Sequence, residues 1–258
     1  MFKFKRINIL IASTACFFLT LFQYSCQTKF NSKRITIASS GKIESLDPAR
    51  ANTLKALQLI SSLGDTLYEL DNDGKLIPKL ASKMPIISKD KLKISITLKK
   101  NILFHDGTPF DSKAMQFTIE RFQRIGTNNY ILDKKIKSIE TPNDNTLIIN
   151  LNKPTSSIEG LLTSVNLTAI SPSFYKNHID KFLNNDFVGT GEYVLKSFSN
   201  EVQILDPNLN YWDLKPKNHG INFVGYSNSS SLYGALKSKQ IDVLLSNSID
   251  DSQRKDLN

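Results

Sequence analysis

Phe104-His105-Asp106-Gly107-Thr108-Pro109-Phe110, then Phe117-Thr118-Ile119-Glu120-Arg121, reads as a strand end, a tight turn and a helix. Asp106-Gly107 favours the turn, because glycine accepts φ > 0 and aspartate bonds its own backbone. Pro109 has no N–H to give to a ladder, so it stops the strand. Asp111 or Ser112 can cap a helix that runs to about Ile125. Met115, Ile119 and Phe122 fall at i, i+4 and i+7, on one face of it. Gly126 sits where a C′ glycine ends a helix. Upstream, Leu92, Ile94, Ile96 and Leu98 alternate with Lys93, Ser95 and Thr97, which predicts a half-buried strand.

Working outward, the same two periods recur. Arg34 to Ala38 is a short β-type run. Leu54 to Leu63 has helical spacing through Leu57 and Ile60, and Gly64 can stop it. Leu147, Ile149 and Leu151 alternate. Ser227 to Ser231 precedes a short helix around Leu232 to Lys237, and a strand over Ile241 to Leu245 is expected next. Asp71-Asn72-Asp73-Gly74 and Pro142-Asn143-Asp144-Asn145 are further turns. Strand and helix periods alternate without a repeat, so the fold class is mixed α/β.

The first residues carry an address. Lys3, Lys5 and Arg6 precede an uncharged stretch, Ile9 to Phe22, of about 14 residues, as in a secretory signal. A membrane span needs about 20 apolar residues. Small Ser25 precedes Cys26, and the chain then turns polar. Cys16 leaves with the signal. The mature chain keeps only Cys26, so neither an internal disulfide nor a CxxC metal site is expected.

Composition narrows the function. The net charge is +9, from 33 Lys+Arg and 24 Asp+Glu. The basic residues are dispersed and are not interleaved with stacking aromatics, so no nucleic-acid partner is expected. Three histidines, His105, His178 and His219, lie far apart. There is no HExxH, GxxxxGK[ST] or GxSxG, and Gly189-x-Gly191 lacks the rest of a dinucleotide fingerprint. No enzyme activity, cofactor or metal is expected.

The motifs in order resemble the peptide/nickel family of extracytoplasmic solute-binding proteins, which serve ABC importers. Phe104 to Phe110 with Phe117 to Arg121 is similar to that family's signature and is a scaffold feature. Leu46-Asp47-Pro48 resembles its Leu-Asp-Pro loop. Leu67-Tyr68-Glu69-Leu70, Asp73-Gly74 and Pro78-Lys79-Leu80-Ala81 are similar to the segment that opens its small second domain. Ile136 to Glu140 with Thr146 to Leu151 is similar to a recurring strand pair. Val188-Gly189-Thr190-Gly191-Glu192-Tyr193, Asn210-Tyr211-Trp212 and Ala235-Leu236-Lys237-Ser238 with Ile241-Asp242-Val243 follow in family order. The resemblance covers about Ile35 to Leu245. Ala114 stands where an acidic residue is usual, Glu192 where proline is common, and Lys239 where glycine is usual.

The resemblance implies a periplasmic binding protein-like fold (type II, cluster C-like) with an inserted small α/β domain. Residues 1–26 are then a lipoprotein signal peptide, 27–56 and 157–258 an incomplete lobe I, and 57–156 an inserted lobe II. Family chains are about twice as long and build a third domain, missing here. A fragment, a truncated product or half of a split protein is expected, with an exposed sheet edge, marginal stability and a tendency to associate. Cys26 would carry a lipid, although Gln23 replaces the usual leucine of the lipobox. A plain signal peptide cut elsewhere is the alternative.

The implied function is binding of a peptide or similar small solute on the outer face of the cytoplasmic membrane, with ABC permease subunits as partners and a lipid anchor in the membrane. Peptides would be held through their backbone. Leu46, Asp47, Pro48, Gly189, Thr190 and Gly191 are the candidate ligand contacts, since glycine lets main chain approach closely. The same residues have a plainer reading as turn formers. Tyr68, Tyr193, Tyr211 and Trp212 read as packing and His105 as a surface residue. The alternative function is a truncated surface lipoprotein that acts as an interaction or chaperone-like module.

Overall fold

The computed structural model describes residues 34–132, 134–155, 158–245 and 249–256; the expected signal segment and Cys26 lie outside them. Two sheets organise the chain. In the first, β1 (Ile35–Ser40) lies between β10 (Ile221–Tyr226) and β11 (Val243–Leu244) and is parallel to both. β9 (Val202–Pro207) pairs antiparallel with β10, and β8 (Tyr193–Phe198) pairs antiparallel with β9, giving the order β11-β1-β10-β9-β8. The second sheet is antiparallel, in the order β4 (Ile86–Ile87), β5 (Lys93–Thr97), β7 (Thr146–Leu151), β6 (Ile136–Asn143). β2 (Tyr68–Leu70) and β3 (Leu76–Pro78) form a separate hairpin.

The alternation in β5 does what its pattern predicts. Ile94 and Ile96 are buried and Lys93 is exposed. The opposing strand β7 buries Leu147, Ile149 and Leu151 against them. Helix α1 (Leu54–Leu63) starts at Thr53, whose side chain accepts from Ala56 N, and buries Ala56, Leu59, Ile60 and Leu63. Helix α2 (Ser112–Ile125) is capped by the Asp111 side chain and buries Met115, Ile119 and Phe122 on one face. Each such side chain contributes about 1.5–3 kcal/mol by leaving water.

Gly126 does end α2, and its N–H reaches the Phe122 carbonyl at 2.8 Å. Its φ of −59° is not the left-handed cap that a C′ glycine usually makes. A Cβ there would stand 2.5 Å from the Phe122 oxygen and 2.8 Å from its ring. Lack of space, not handedness, calls for glycine.

Short helices α3 (Ile158–Leu161) and α4 (Pro172–Tyr175) lead towards β8. Helix α5 (Ser229–Lys237) joins β10 to β11, and α6 (Asp251–Lys255) follows. β11 is shorter than its apolar run suggests, but the pairing with β1 continues on both sides. Asp242 N bonds Thr36 O at 2.9 Å and Leu245 N bonds Ala38 O at 2.8 Å.

Between α5 and β11, the exposed Lys239 holds φ at 57°. A side chain in that region costs roughly 1–2 kcal/mol, partly offset because glycine has more freedom to lose on folding. Lys239→Gly is expected to raise stability by about 0.5–1 kcal/mol, read as a higher Tm. An unchanged or lower Tm would contradict the strain argument.

The described residues form one compact unit. One apolar cluster gathers β5, β7 and α2 with Leu67, Tyr68 and Leu80. A second gathers α1 with Tyr193, Leu205, Ile221 and Phe223. A third, small one sets Leu232, Ala235 and Ile241 against Ala38.

Candidate functional site

Ligands of open α/β sheets seat outside the carboxyl ends of the strands. β1 and β10 end on the same side, at Ser40 and Tyr226, and Gly41 N bonds Tyr226 O at 2.7 Å across them. A crevice of about 640 Å³ opens beside this edge. Its wall includes Lys42, Glu44 and Ser45 from the loop after β1, Arg50, and Lys55 from the first turn of α1.

Lys55 lies across the end of β1. Its Nζ donates to Ser40 O at 3.4 Å and would stand 2.8 Å from a Cβ on Gly41. Burial lowers the Lys55 pKa, and Glu44 opposes that through its charge. Arg50 donates to the Asn184 side-chain oxygen at 3.1 Å and lies over the Phe182 ring, 5.7 Å from its centre. Lys42 pairs with Glu201 at 2.5 Å.

Leu46-Asp47-Pro48 lies directly beyond Ser45 in the chain, and all three residues are buried. Leu46 N bonds Asn184 O at 2.8 Å, and Asp47 N bonds Ser45 Oγ at 3.1 Å. Pro48 O accepts from the Asn166 amide at 2.6 Å. The Asp47 carboxylate takes two bonds from Arg121, at 2.9 and 2.6 Å, and two more from Ala49 N and Leu183 N. Asp47 is 0% exposed and Arg121 1%. The Leu-Asp-Pro loop and the Glu-Arg end of the helix motif are thus halves of one buried ion pair.

Gly189, Thr190 and Gly191 lie elsewhere, against the end of α1. Gly191 N bonds Leu63 O at 3.0 Å, and a Cβ on Gly191 would stand 2.3 Å from the Leu63 carbonyl carbon. Thr190 is buried and donates to Asp65 Oδ2 at 2.9 Å. Asp65 also accepts from the Tyr211 hydroxyl at 2.9 Å and from the Trp212 indole at 3.0 Å, with Lys79 at 3.8 Å. Burial raises the Asp65 pKa, and these partners pull it back down. His105 is half-buried, not the surface residue expected, and its Nε2 lies 3.1 Å from Gly191 O.

A second cleft, of about 620 Å³, opens beside Asp65 and is lined also by Glu69, Lys79, Glu192 and Asp213. Burial raises the Glu192 pKa above its ordinary value; Lys79 lowers it, while Asp65 and Asp213 raise it. The folded chain therefore holds this proton more tightly than the unfolded one. Stability falls as pH rises from about 4.5 through the raised value, and stays lower above it. Glu192→Gln is expected to melt above the parent at pH 7, by less than about 1 kcal/mol because the group is half-exposed. The difference should close at about pH 4. A gap that persists at acid pH would rule out ionisation as its cause.

The six expected ligand contacts therefore fall in two places, and each group packs inside the fold. The crevice side chains Lys42, Glu44, Arg50 and Lys55 were missed. The available signal was their position just after the first strand and around the Leu-Asp-Pro loop.

A five-stranded sheet with parallel central strands, a crevice at its carboxyl edge and a second sheet inserted within the chain is the architecture of a type II periplasmic binding protein. A family model for bacterial extracellular solute-binding proteins, family 5 (middle), matches residues 75–258, and the chain belongs to that family. It is 29% identical over 172 residues to a glutathione-binding protein, GsiB, of Escherichia coli O1:K1 / APEC, covering 66% of this chain and 33% of that protein. Among solved structures, NikZ from Campylobacter jejuni in complex with Ni(L-His) is 25% identical with a TM-score of 0.78, over 88% of this chain and 45% of that one. The ABC transporter-associated DppA from Helicobacter pylori, in complex with the peptide STSA, shares the fold at 24% identity and a TM-score of 0.77, over 87% of this chain and 49% of that one. The chain spans about a third of the length of the curated relative and under half of the solved chains.

The relatives are solute-binding proteins. Among the described residues no helix is long and apolar enough to cross a membrane, and no group of three or more His, Cys, Asp or Glu could hold a metal ion.

Proposed function

We propose that this chain is the ligand-recognising part of an ABC importer for peptides or similar small solutes, working on the outer face of the cytoplasmic membrane. Residues 27–56 and 157–258 would form the lobe that carries the crevice, and 57–156 an inserted second lobe. Cys26 would carry the lipid, and permease subunits would receive the ligand. The family match over residues 75–258 carries this reading. The crevice beside β1 and β10 supports it, as do the glutathione-binding relative and the peptide-bound neighbour.

Binding closes such proteins around a ligand, so affinity reports the stabilised closed state. The full chain, dialysed against a mixture of glutathione and di- to tetrapeptides, is expected to retain a subset that mass spectrometry identifies after denaturation. Retention of none at about 1 mM, a free energy of only about −4 kcal/mol, would argue for an interaction module instead. Labelled palmitate should enter the exported protein and be lost from Cys26→Ser.

A further inference from the structure

We propose that the crevice at the carboxyl edge of β1 receives an anionic group, a carboxylate of the ligand, between Arg50 and Lys55, so that acidic peptides are the preferred solutes. This rests on the peptide-binding reading above and adds the chemical class of the ligand.

The argument is a census of charge. Three cations, Lys42, Arg50 and Lys55, line the crevice. Two carboxylates answer them: Glu44 in the same wall, and Glu201, which pairs with Lys42. Arg50 has only a neutral amide, Asn184, and a ring, Phe182. Lys55 makes a long bond to a carbonyl, Ser40 O at 3.4 Å, and feels the charge of Glu44 without forming an ion pair with it. Among the described residues neither Arg50 nor Lys55 forms an ion pair. Neither has a carboxylate within ion-pair distance, and a ligand carboxylate supplies one. Arg50 presents a planar fork that matches it, and Lys55 a point charge.

The second cleft has the opposite sign: Asp65, Glu69, Glu192 and Asp213 surround the single Lys79. An acidic ligand is repelled there, so a preference for acid reports on the first crevice. Neither Arg50 nor Lys55 is part of the buried Asp47–Arg121 pair, so both can be changed while the loop keeps its anchor.

The test titrates the full chain with the tripeptides Ala-Glu-Ala, Ala-Gln-Ala and Ala-Lys-Ala. Ala-Glu-Ala is expected to bind about tenfold more tightly than Ala-Gln-Ala at about 20 mM salt, with the ratio shrinking at about 300 mM as the charges are screened. Ala-Lys-Ala should bind weakest. Arg50→Gln and Lys55→Gln should each bring the ratio to about threefold or below, while Lys137→Gln on β6 leaves it unchanged. Circular dichroism melts check each variant, and if Arg50→Gln fails to fold, Lys55→Gln decides alone. Equal or tighter binding of Ala-Gln-Ala or Ala-Lys-Ala overturns the inference and leaves peptide binding intact. An acid preference that survives both substitutions overturns the placement. Binding of none of the three overturns the peptide reading, and this inference with it.

Discussion

Asp47→Asn is expected to cost about 3–5 kcal/mol, the usual result of stripping one partner from a buried ion pair. The carboxylate accepts four hydrogen bonds, two from Arg121 and one each from Ala49 N and Leu183 N. An amide of the same size turns one acceptor into a donor. That nitrogen then faces either the guanidinium or a main-chain N–H, at a position with no exposed surface. Arg121 also donates to His178 O and Lys181 O, so it ties the 178–183 segment to the same carboxylate. Urea unfolding should show a lower midpoint with an unchanged slope. Arg121→Met should cost a similar amount, and the double variant less than the sum, because each single change leaves a buried charge alone. A loss below about 1 kcal/mol for Asp47→Asn would mean that water reaches the pair.

Gly191→Ala is expected to be as damaging for a steric reason. Its Cβ would stand 2.3 Å from Leu63 C and 2.4 Å from Gly64 N. These are main-chain atoms at the end of α1, and no rotamer change can relieve the contact. The helix end or the turn must move, which breaks the Gly191 N to Leu63 O bond and disturbs Thr190 on Asp65. A loss of about 3 kcal/mol or more is expected. Gly234 is the control. It lies inside α5, and a Cβ added there would meet nothing within 4 Å, so Gly234→Ala should stabilise, by about 0.5–1 kcal/mol. Thermal melts of the two variants should move in opposite directions. If both move little, the turn yields more easily than its contacts imply.

Local pattern revealed much of the second sheet and both long helices. β5 and α2 each bury one side and wet the other, so their periods are visible in the sequence. β10 was harder to read, because Ile221, Asn222 and Phe223 are buried in succession and the strand does not alternate. β6 was readable as a pair with β7 but not in register, since it is bulged in two places. The strand expected over Ile241 to Leu245 is confined to Val243–Leu244, and beside it the Asp242 carboxylate accepts from Thr36 N.

The site was less legible than the fold. Asp47 and Arg121 are 74 residues apart, and only the folded chain shows that their motifs are one feature. Asp65 was invisible because its significance lies in partners at Thr190, Tyr211 and Trp212, all more than 120 residues away. Lys42, Arg50 and Lys55 looked like three dispersed basic residues. They line one crevice only when the loop after β1 folds back on α1.

The pairing of β1 with β10 has a consequence in time. Ile35 needs Ile221 as its neighbour, and Ile37 needs Val243 on the other side. A ribosome adding about 5–20 residues each second reaches that partner roughly 10–40 s after it has made the first strand. The antiparallel sheet from Ile86 to Leu151 has all its strands in hand much sooner. The first of these strands to be made is thus among the last to be placed, and for that interval it is an unclaimed edge open to pairing with another chain.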